Sequence, residues 1–483
     1  MGDRSTYQNF IGGEWTESNS GETFENRNPA CRDEIIGDFQ RSDKSDVYEA
    51  VEAASKAFPE WAKTSASKRG KLLRRAAESI EKRKGELIET LSREEGKTLK
   101  EAAGEVKRSR DIFYYYAEKA KEIGGELRSP NHEDKELYTK QEPLGVAAIL
   151  TPWNYPSAIP SWKMAPALAA GNCVVIKPAS LAPYSCLKIV ECLEKAGLPE
   201  GTVNLITGPG KAVGKALVVH EDVDAVSFTG SLEVGDRVRE LASRGGKRVQ
   251  TEMGGKNPLL VMESADVNEA VEIAVSGAFG VTGQACTATS RAIVHEKLYD
   301  EFLEKMRSKV ESMEVGPGLE NPDMGPQVSR GELWSTLDYI ESGKQEGAEL
   351  LIGGERADVE SDGHFVQPTV FSETEPDMKI AQEEIFGPVL SVMKTGNYEE
   401  AVEIANGIDY GLSASIITQD LSEAHRFIQD SESGVVKVNE KTTGLELHVP
   451  FGGMKASSSE TWREQGEAGL DFYTISKTVY LNY

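Results

Sequence analysis

Apolar residues return every three or four positions between Ser45 and about Lys121: Val47, Ala50, Val51, Ala54 and Phe58, then Leu72, Leu73, Ala76, Ile80 and Leu87. That period predicts two to four helices covering a sheet. Ahead of them, residues 7–40 hold two turn-rich pieces, Ile11-Gly12-Gly13-Glu14-Trp15 and Asn26-Arg27-Asn28-Pro29-Ala30, expected as strand-and-turn material at a domain edge. Residues 121–141 are polar, carry Gly124-Gly125 and Ser129-Pro130-Asn131, and interrupt the pattern, so they are expected to leave the domain as an exposed hairpin or an arm on another subunit. Beyond them, short β-rich runs (145–151, 173–177, 203–207, 225–229 and 248–252) alternate with amphipathic segments such as 184–196 and 232–243. Strand, helix, strand at this spacing predicts an α/β fold with a mostly parallel sheet covered on both faces.

Ligands of such sheets bind at the carboxyl ends of the strands. The first run ends in Thr151-Pro152-Trp153-Asn154-Tyr155-Pro156, the second in Lys177-Pro178-Ala179-Ser180, the fourth in Phe228-Thr229-Gly230-Ser231 and the fifth in Glu252-Met253-Gly254-Gly255. Four such ends suggest one shared crevice. The dinucleotide fingerprint GxGxxG is absent; after the third run stands Gly208-Pro209-Gly210-Lys211-Ala212-Val213-Gly214, one residue too long, and it fails as a P-loop as well. Either this turn or Gly230-Ser231 could bring backbone N–H groups at a helix N-terminus to a pyrophosphate. From Pro258 a second βα unit begins, with a strand at 259–262 and a helix at 268–278. Further helices are clearest at 303–313 and 334–347, and 470–483 reads as a terminal strand seeking an edge.

The length of 483 residues allows two or three domains with substantial cores, and 39% apolar with 28% charged residues argues against disorder. No apolar run approaches the roughly 18 residues of a membrane span, and the first residues lack a signal-peptide apolar stretch, so a cytoplasmic protein is expected. Five irregularly spaced cysteines suggest neither disulfides nor a CxxC metal site, and the six histidines are isolated from one another, so no metal is expected. The balance of 54 basic against 79 acidic residues, −25 in formal charge, would repel phosphate backbones and argues against nucleic-acid or anionic-membrane partners. Two readings of this charge stand: a well-solvated surface, or a halophilic coat whose self-repulsion a high-salt cytoplasm screens.

Cys286 lies in Phe279-Gly280-Val281-Thr282-Gly283-Gln284-Ala285-Cys286-Thr287-Ala288-Thr289-Ser290-Arg291. Alone it reads first as a buried packing residue; the competing reading is a nucleophile, whose thiolate a helix N-terminus or a cation would favour. The ordered set TPWN, KPAS, GPGKAVG, FTGS, EMGGK, GQACTATSR, EEIFGPV and PFGGMK resembles the aldehyde dehydrogenase superfamily over essentially the whole chain. The resemblance implies two Rossmann-like parallel-sheet domains and a β oligomerisation arm: residues 1–121 and 142–252 for cofactor, 253–467 for catalysis, 122–141 and 468–483 for the arm. A homodimer or homotetramer is then expected.

By the same resemblance Cys286 attacks an aldehyde, and the side-chain amide of Asn154 and the Cys286 N–H stabilise the oxyanion, one such donor being worth ~3 kcal/mol. Hydride leaves to the nicotinamide, and Glu252 activates water to hydrolyse the thioester. Thr151, Trp153, Lys177, Ser180, Gly210, Gly214, Phe228, Gly230, Ser231, Glu384 and Phe386 correspond to cofactor positions. Ser180 stands where NAD-preferring members usually carry Glu, which removes repulsion of a 2′-phosphate, so NADP is expected to be accepted and preferred over NAD. The Ser457-Ser458-Ser459 and Arg463-Glu464-Gln465-Gly466 segment, with KPAS and NYPSAIPSWK, resembles the 2,5-dioxopentanoate (α-ketoglutarate semialdehyde) dehydrogenases of sugar-acid oxidation. Such an acidic substrate needs a cation or several donors. Arg108 aligns with the substrate tunnel and reads equally as a surface arginine; Tyr155, Trp162, Thr287 and Phe451 complete the expected substrate set. The alternatives are a broad-specificity, succinate-semialdehyde or aromatic aldehyde dehydrogenase, a CoA-acylating enzyme or acyltransferase, and a non-enzymatic structural protein on the same fold. Glu252 disfavours acylation, and the presence of Asn154, Glu252 and Cys286 together disfavours the last.

Overall fold

The computed structural model describes residues 5–459 and 461–483. The helical period resolves into four helices: α1 (Lys44–Lys63), α2 (Ala66–Lys82), α3 (Lys84–Glu95) and α4 (Leu99–Lys119). Each face repeats the sequence pattern; α1 buries Val47, Ala50, Val51 and Ala54. Helix α3 stops at Gly96, left-handed at φ 93, and α4 starts two residues later on a capping box in which Thr98 and Glu101 satisfy each other's backbone N–H.

A seven-stranded sheet runs in the order Arg248–Glu252, Ala225–Thr229, Val146–Leu150, Cys173–Lys177, Val203–Leu205, Asn9–Ile11, Glu14–Thr16. The first five strands are parallel, and the last two, from the turn-rich N-terminal piece, extend the edge antiparallel. Every residue of Val146–Leu150, Cys173–Lys177 and Ala225–Thr229 is buried, as strands covered on both faces must be. Helices α5 (Ala158–Ala170), α6 (Pro183–Ala196), α7 (Lys215–Val219) and α8 (Leu232–Arg244) connect them.

A second seven-stranded sheet follows the order Glu349–Ile352, Thr369–Ser372, Val389–Thr395, Thr289–His295, Asn257–Val261, Ser413–Ile417, Val435–Val438, parallel except at its first pair. It has its own apolar core, built with α9 (Val267–Phe279), α10 (Glu296–Glu311) and α11 (Arg330–Glu346). The polar excursion forms Leu127–Arg128 and Lys135–Pro143, and the terminal strand Thr474–Asn482 pairs residue for residue with the latter. Just before that strand, Leu470, Phe472 and Tyr473 pack into the core of the first sheet. No helix of the described residues is long and apolar enough to cross a membrane.

Candidate active site

The turn that carries Cys286 lies between α9 and the strand Thr289–His295. Helix α9 ends at Phe279, and the chain then passes through Val281 and Thr282 in left-handed conformations, φ 53 and 57. Such conformations cost about 1–3 kcal/mol each, so the surroundings must hold them. They do: Val281 N–H donates to Glu101 Oε1 at 2.6 Å and Thr282 Oγ1 to the Gly325 carbonyl at 3.1 Å. Gln284 then fixes the turn, its Oε1 accepting from Val328 N–H at 2.9 Å.

Two cavities meet at Cys286. One, of about 200 Å³, lies at the carboxyl ends of the first sheet and brings together Trp153, Asn154, Gly230, Ser231, Glu384 and Phe386. The rings of Trp153 and Phe386 stand edge to face across it, 5.3 Å apart. Ser231 opens α8 without a side-chain cap, so the first-turn N–H groups are free to meet an anion. The buried hydroxyls of Thr151 and Thr229 lack hydrogen-bond partners. Glu384 presses so closely on Gly254 that a Cβ there would stand 1.9 Å from its Oε2, and its Oε1 accepts from Gly255 N–H at 3.0 Å. Free donors, an uncapped helix start, flanking aromatic rings and a carboxylate suit the phosphates, ring and ribose of a nicotinamide dinucleotide.

The second cavity, of about 260 Å³, brings Arg108, Tyr155, Trp162, Thr287 and Phe451 to the other side of the thiol. Arg108 Nη2 donates to Gln465 Oε1 at 2.6 Å, and burial lowers the guanidinium pKa. Among the described residues it has no carboxylate within ion-pair distance, whereas Glu101 and Glu105 beside it are fully engaged by backbone N–H groups and Lys97.

The nucleophile's electrostatics depart from the expectation of a nearby helix N-terminus or cation. Cys286 follows the C-terminal end of α9, and burial together with the carboxylates of Glu384, Glu252 and Glu464 pushes its thiol up to about 12. Burial likewise lifts Glu384 to about 7. Glu252 lines neither cavity; its Oε1 accepts from Ser458 Oγ at 2.9 Å and its Oε2 from Gly453 N–H at 3.1 Å. Burial, reinforced by the neighbouring Glu464, raises its pKa well above the usual range.

The remaining cofactor candidates lie off the crevice. Lys177 is buried with Nζ on the Pro178 carbonyl at 2.7 Å and its pKa lowered by burial to about 8; Ser180 Oγ donates to the Gly208 carbonyl at 2.9 Å. Gly210 and Gly214 bound one wide turn leading into α7, which has five residues, so the anion-binding helix start facing the crevice is that of α8. Phe228 packs beneath Gly230. Sequence reasoning gave no role to Ser458 or to the buried Lys163–Glu464 ion pair, although both lie inside segments it had noticed. Lys97 and Glu101 were missed; the capping-box spacing Thr98-x-x-Glu101 was the available signal.

Comparison with known proteins gives a consistent result. The aldehyde dehydrogenase family profile matches residues 15–479. The chain is 55% identical to the α-ketoglutarate semialdehyde dehydrogenase of Haloferax volcanii, covering 99% of both chains. It is 46% identical to the α-ketoglutaric semialdehyde dehydrogenase of Bacillus subtilis, again over 99% of each. A 3,6-anhydro-L-galactose dehydrogenase solved with NADP superposes with a TM-score of 0.96 at 36% identity, covering 99% of this chain and all of the other.

Proposed function

The chain belongs to the aldehyde dehydrogenase family, and on that premise we propose that its substrate is 2,5-dioxopentanoate, oxidised to 2-oxoglutarate at Cys286. The enzyme oxidises an aldehyde to its carboxylic acid with a nicotinamide cofactor. The observation that carries the substrate reading is Arg108: a partly desolvated guanidinium that makes no ion pair among the described residues, Glu446 and Asp111 attracting it only from beyond ion-pair distance, on the wall of the cavity that ends at the thiol, in a chain of net charge −25. An aldehyde bearing a carboxylate supplies the missing anion. The names of the relatives in Haloferax and Bacillus point the same way.

In this reading Cys286 gives its thiol proton to solvent water and the thiolate Sγ attacks the aldehyde carbon. The oxygen becomes an oxyanion beside the Cys286 N–H and the Asn154 amide; one hydrogen of that amide already lies on the Gln284 carbonyl at 3.0 Å and the other remains to donate. A nicotinamide held in the first cavity would supply the acceptor for the hydride that leaves the substrate carbon. Trp153, Phe386 and Glu384 would hold that cofactor's ring and ribose, and Ser231 with the start of α8 its phosphates. Glu252 receives a proton from the water that attacks the thioester, which requires its side chain to leave Ser458 and Gly453 and enter the cavity. A serine rather than a glutamate at position 180, which carries no charge of its own to repel a 2′-phosphate, supports NADP preference.

Initial rates of NADPH and NADH formation with 2,5-dioxopentanoate, succinic semialdehyde, glyceraldehyde and benzaldehyde, in low and molar salt, test these points. The dioxo acid is expected to exceed the others at least about tenfold in kcat/KM, with NADP above NAD, and Arg108→Leu to erase that margin by raising KM for the acidic aldehydes alone. A flat or aromatic-favouring profile overturns the substrate; a higher kcat/KM for NAD overturns the cofactor preference. Loss of activity on removing salt supports the high-salt reading of the acidic surface, and full activity without salt refutes it.

The terminal strand is the edge of its three-stranded sheet and exposes Ile475, Tyr480 and Leu481, with Tyr483 exposed just beyond it. Open backbone beside exposed apolar side chains is a pairing surface, so we read the arm as the oligomerisation element. A twofold or fourfold mass by light scattering at micromolar concentration is expected; a monomer refutes it. The setting is taken as cytoplasmic, consistent with five free cysteines.

A further inference from the structure

Lys97 is buried to 2% exposure at the junction of α3 and α4, far in sequence from the reacting groups. Its ammonium donates to the Asn154 backbone carbonyl, pairs with Glu105 Oε2 at 2.9 Å and Glu95 Oε2 at 3.4 Å, and lies 4.3 Å above the centre of the Tyr155 ring. Glu105 spends its other oxygen on the Ser157 and Ala158 N–H groups, at 2.9 and 3.0 Å, where α5 begins. Both ends of the segment that presents Asn154 are thus tied to α4: its start through Lys97, its end through Glu105.

The same junction holds the nucleophile. Glu101 accepts from the Thr98 N–H at 3.0 Å with one oxygen and from the left-handed Val281 with the other. Gly96 meanwhile packs against the Gly325–Pro326 chain to which Thr282 and Gln284 donate. One turn of backbone, Gly96 to Glu101, therefore fixes the Asn154 loop from one side and the Cys286 loop from the other. An oxyanion donor is useful only where the oxygen develops, and an error of about 1 Å costs roughly 100-fold in rate.

We propose that Lys97 is a positioning residue that sets the distance between the Asn154 amide and Cys286, acting through the Asn154 carbonyl without touching the reacting atoms. Its ammonium suits the task because three donors can serve one carbonyl and two carboxylates at once. This inference rests on Asn154 being the oxyanion donor and is independent of which aldehyde is the substrate.

The test is a double-mutant cycle in the full chain. Lys97→Met is expected to lower kcat roughly 10- to 100-fold, proportionally for every aldehyde accepted, with the cofactor KM unchanged. Lys97→Arg, which keeps the charge but changes its reach, is expected to lower kcat about tenfold and carries the cycle should the methionine variant fail to fold. On an Asn154→Ala background either change should cost less than about twofold, because the group it positions is gone. The full single-mutant loss persisting on that background, or no loss from either variant alone, overturns the role. An unaltered rate for Asn154→Ala alone overturns the donor reading and the Lys97 role with it, which separates the two failures.

Discussion

Cys286→Ala abolishes aldehyde oxidation, lowering kcat by at least about 10⁴-fold, as loss of a covalent nucleophile does in enzymes that work through one. Cofactor affinity is expected to change little, because the crevice is built from Trp153, Ser231, Glu384 and Phe386. The wild-type thiol supplies the sharper companion measurement. Its pKa is pushed up to about 12 by burial and by carboxylates, so in the cofactor-free enzyme at pH 8 only roughly one thiol in 10⁴ is ionised. Thiolate, not thiol, reacts with iodoacetamide. A raised pKa means that ionisation grows with pH throughout the neutral range, so the alkylation rate should climb about tenfold per pH unit from 7 to 10 without a plateau. A plateau near pH 7 would mean that a cation outweighs burial and the carboxylates and ionises the thiol in the resting enzyme. Activity retained by the alanine variant would remove Cys286 from the chemistry altogether.

What could be read in advance follows physical rules. The strands Val146–Leu150, Cys173–Lys177 and Ala225–Thr229 are short apolar runs because a parallel sheet covered on both faces leaves no polar side to alternate with. Their polar ends were legible for the same reason, since the pattern stops where the crevice begins. The strands Val389–Thr395 and Ser413–Ile417, equally buried, were not separated from their neighbours, and Val435–Val438 is only half-buried, which blurs its pattern. In the site, Cys286, Asn154 and Glu252 stood out through motif order. What periodicity cannot carry is a side chain reaching across the fold: Lys97 to Asn154 spans 57 residues and Ser458 to Glu252 spans 206. The acidic surroundings of the thiol were illegible for the same reason, because Glu384 and Glu464 come from two segments far along the chain from Cys286 and from each other.

Glu252→Gln should slow steady turnover about 10²- to 10⁴-fold, the usual range for losing a positioned general base, and should leave an acyl group on Cys286. Glutamine keeps the shape: its Oε1 can accept from Gly453 N–H while its Nε2 donates to the Ser458 hydroxyl, so the surrounding structure survives and only the proton acceptor is lost. If Glu252 serves the water that attacks the thioester, the steps before it continue: one equivalent of reduced nicotinamide forms per active site, and mass spectrometry finds the chain heavier by the acyl group. If the rate falls with no trapped acyl group, Glu252 acts earlier, as the acceptor of the Cys286 proton. The pH dependence follows from the raised carboxyl. Burial and Glu464 raise the Glu252 carboxyl well above the usual carboxylate range, so its base form grows as pH rises through that raised range, and wild-type kcat should rise with it. A glutamine has no proton to lose, and its residual rate should be far less sensitive to pH over that interval. An equal slope in both would move the titration to another group, Glu384 being the nearest candidate at about 7.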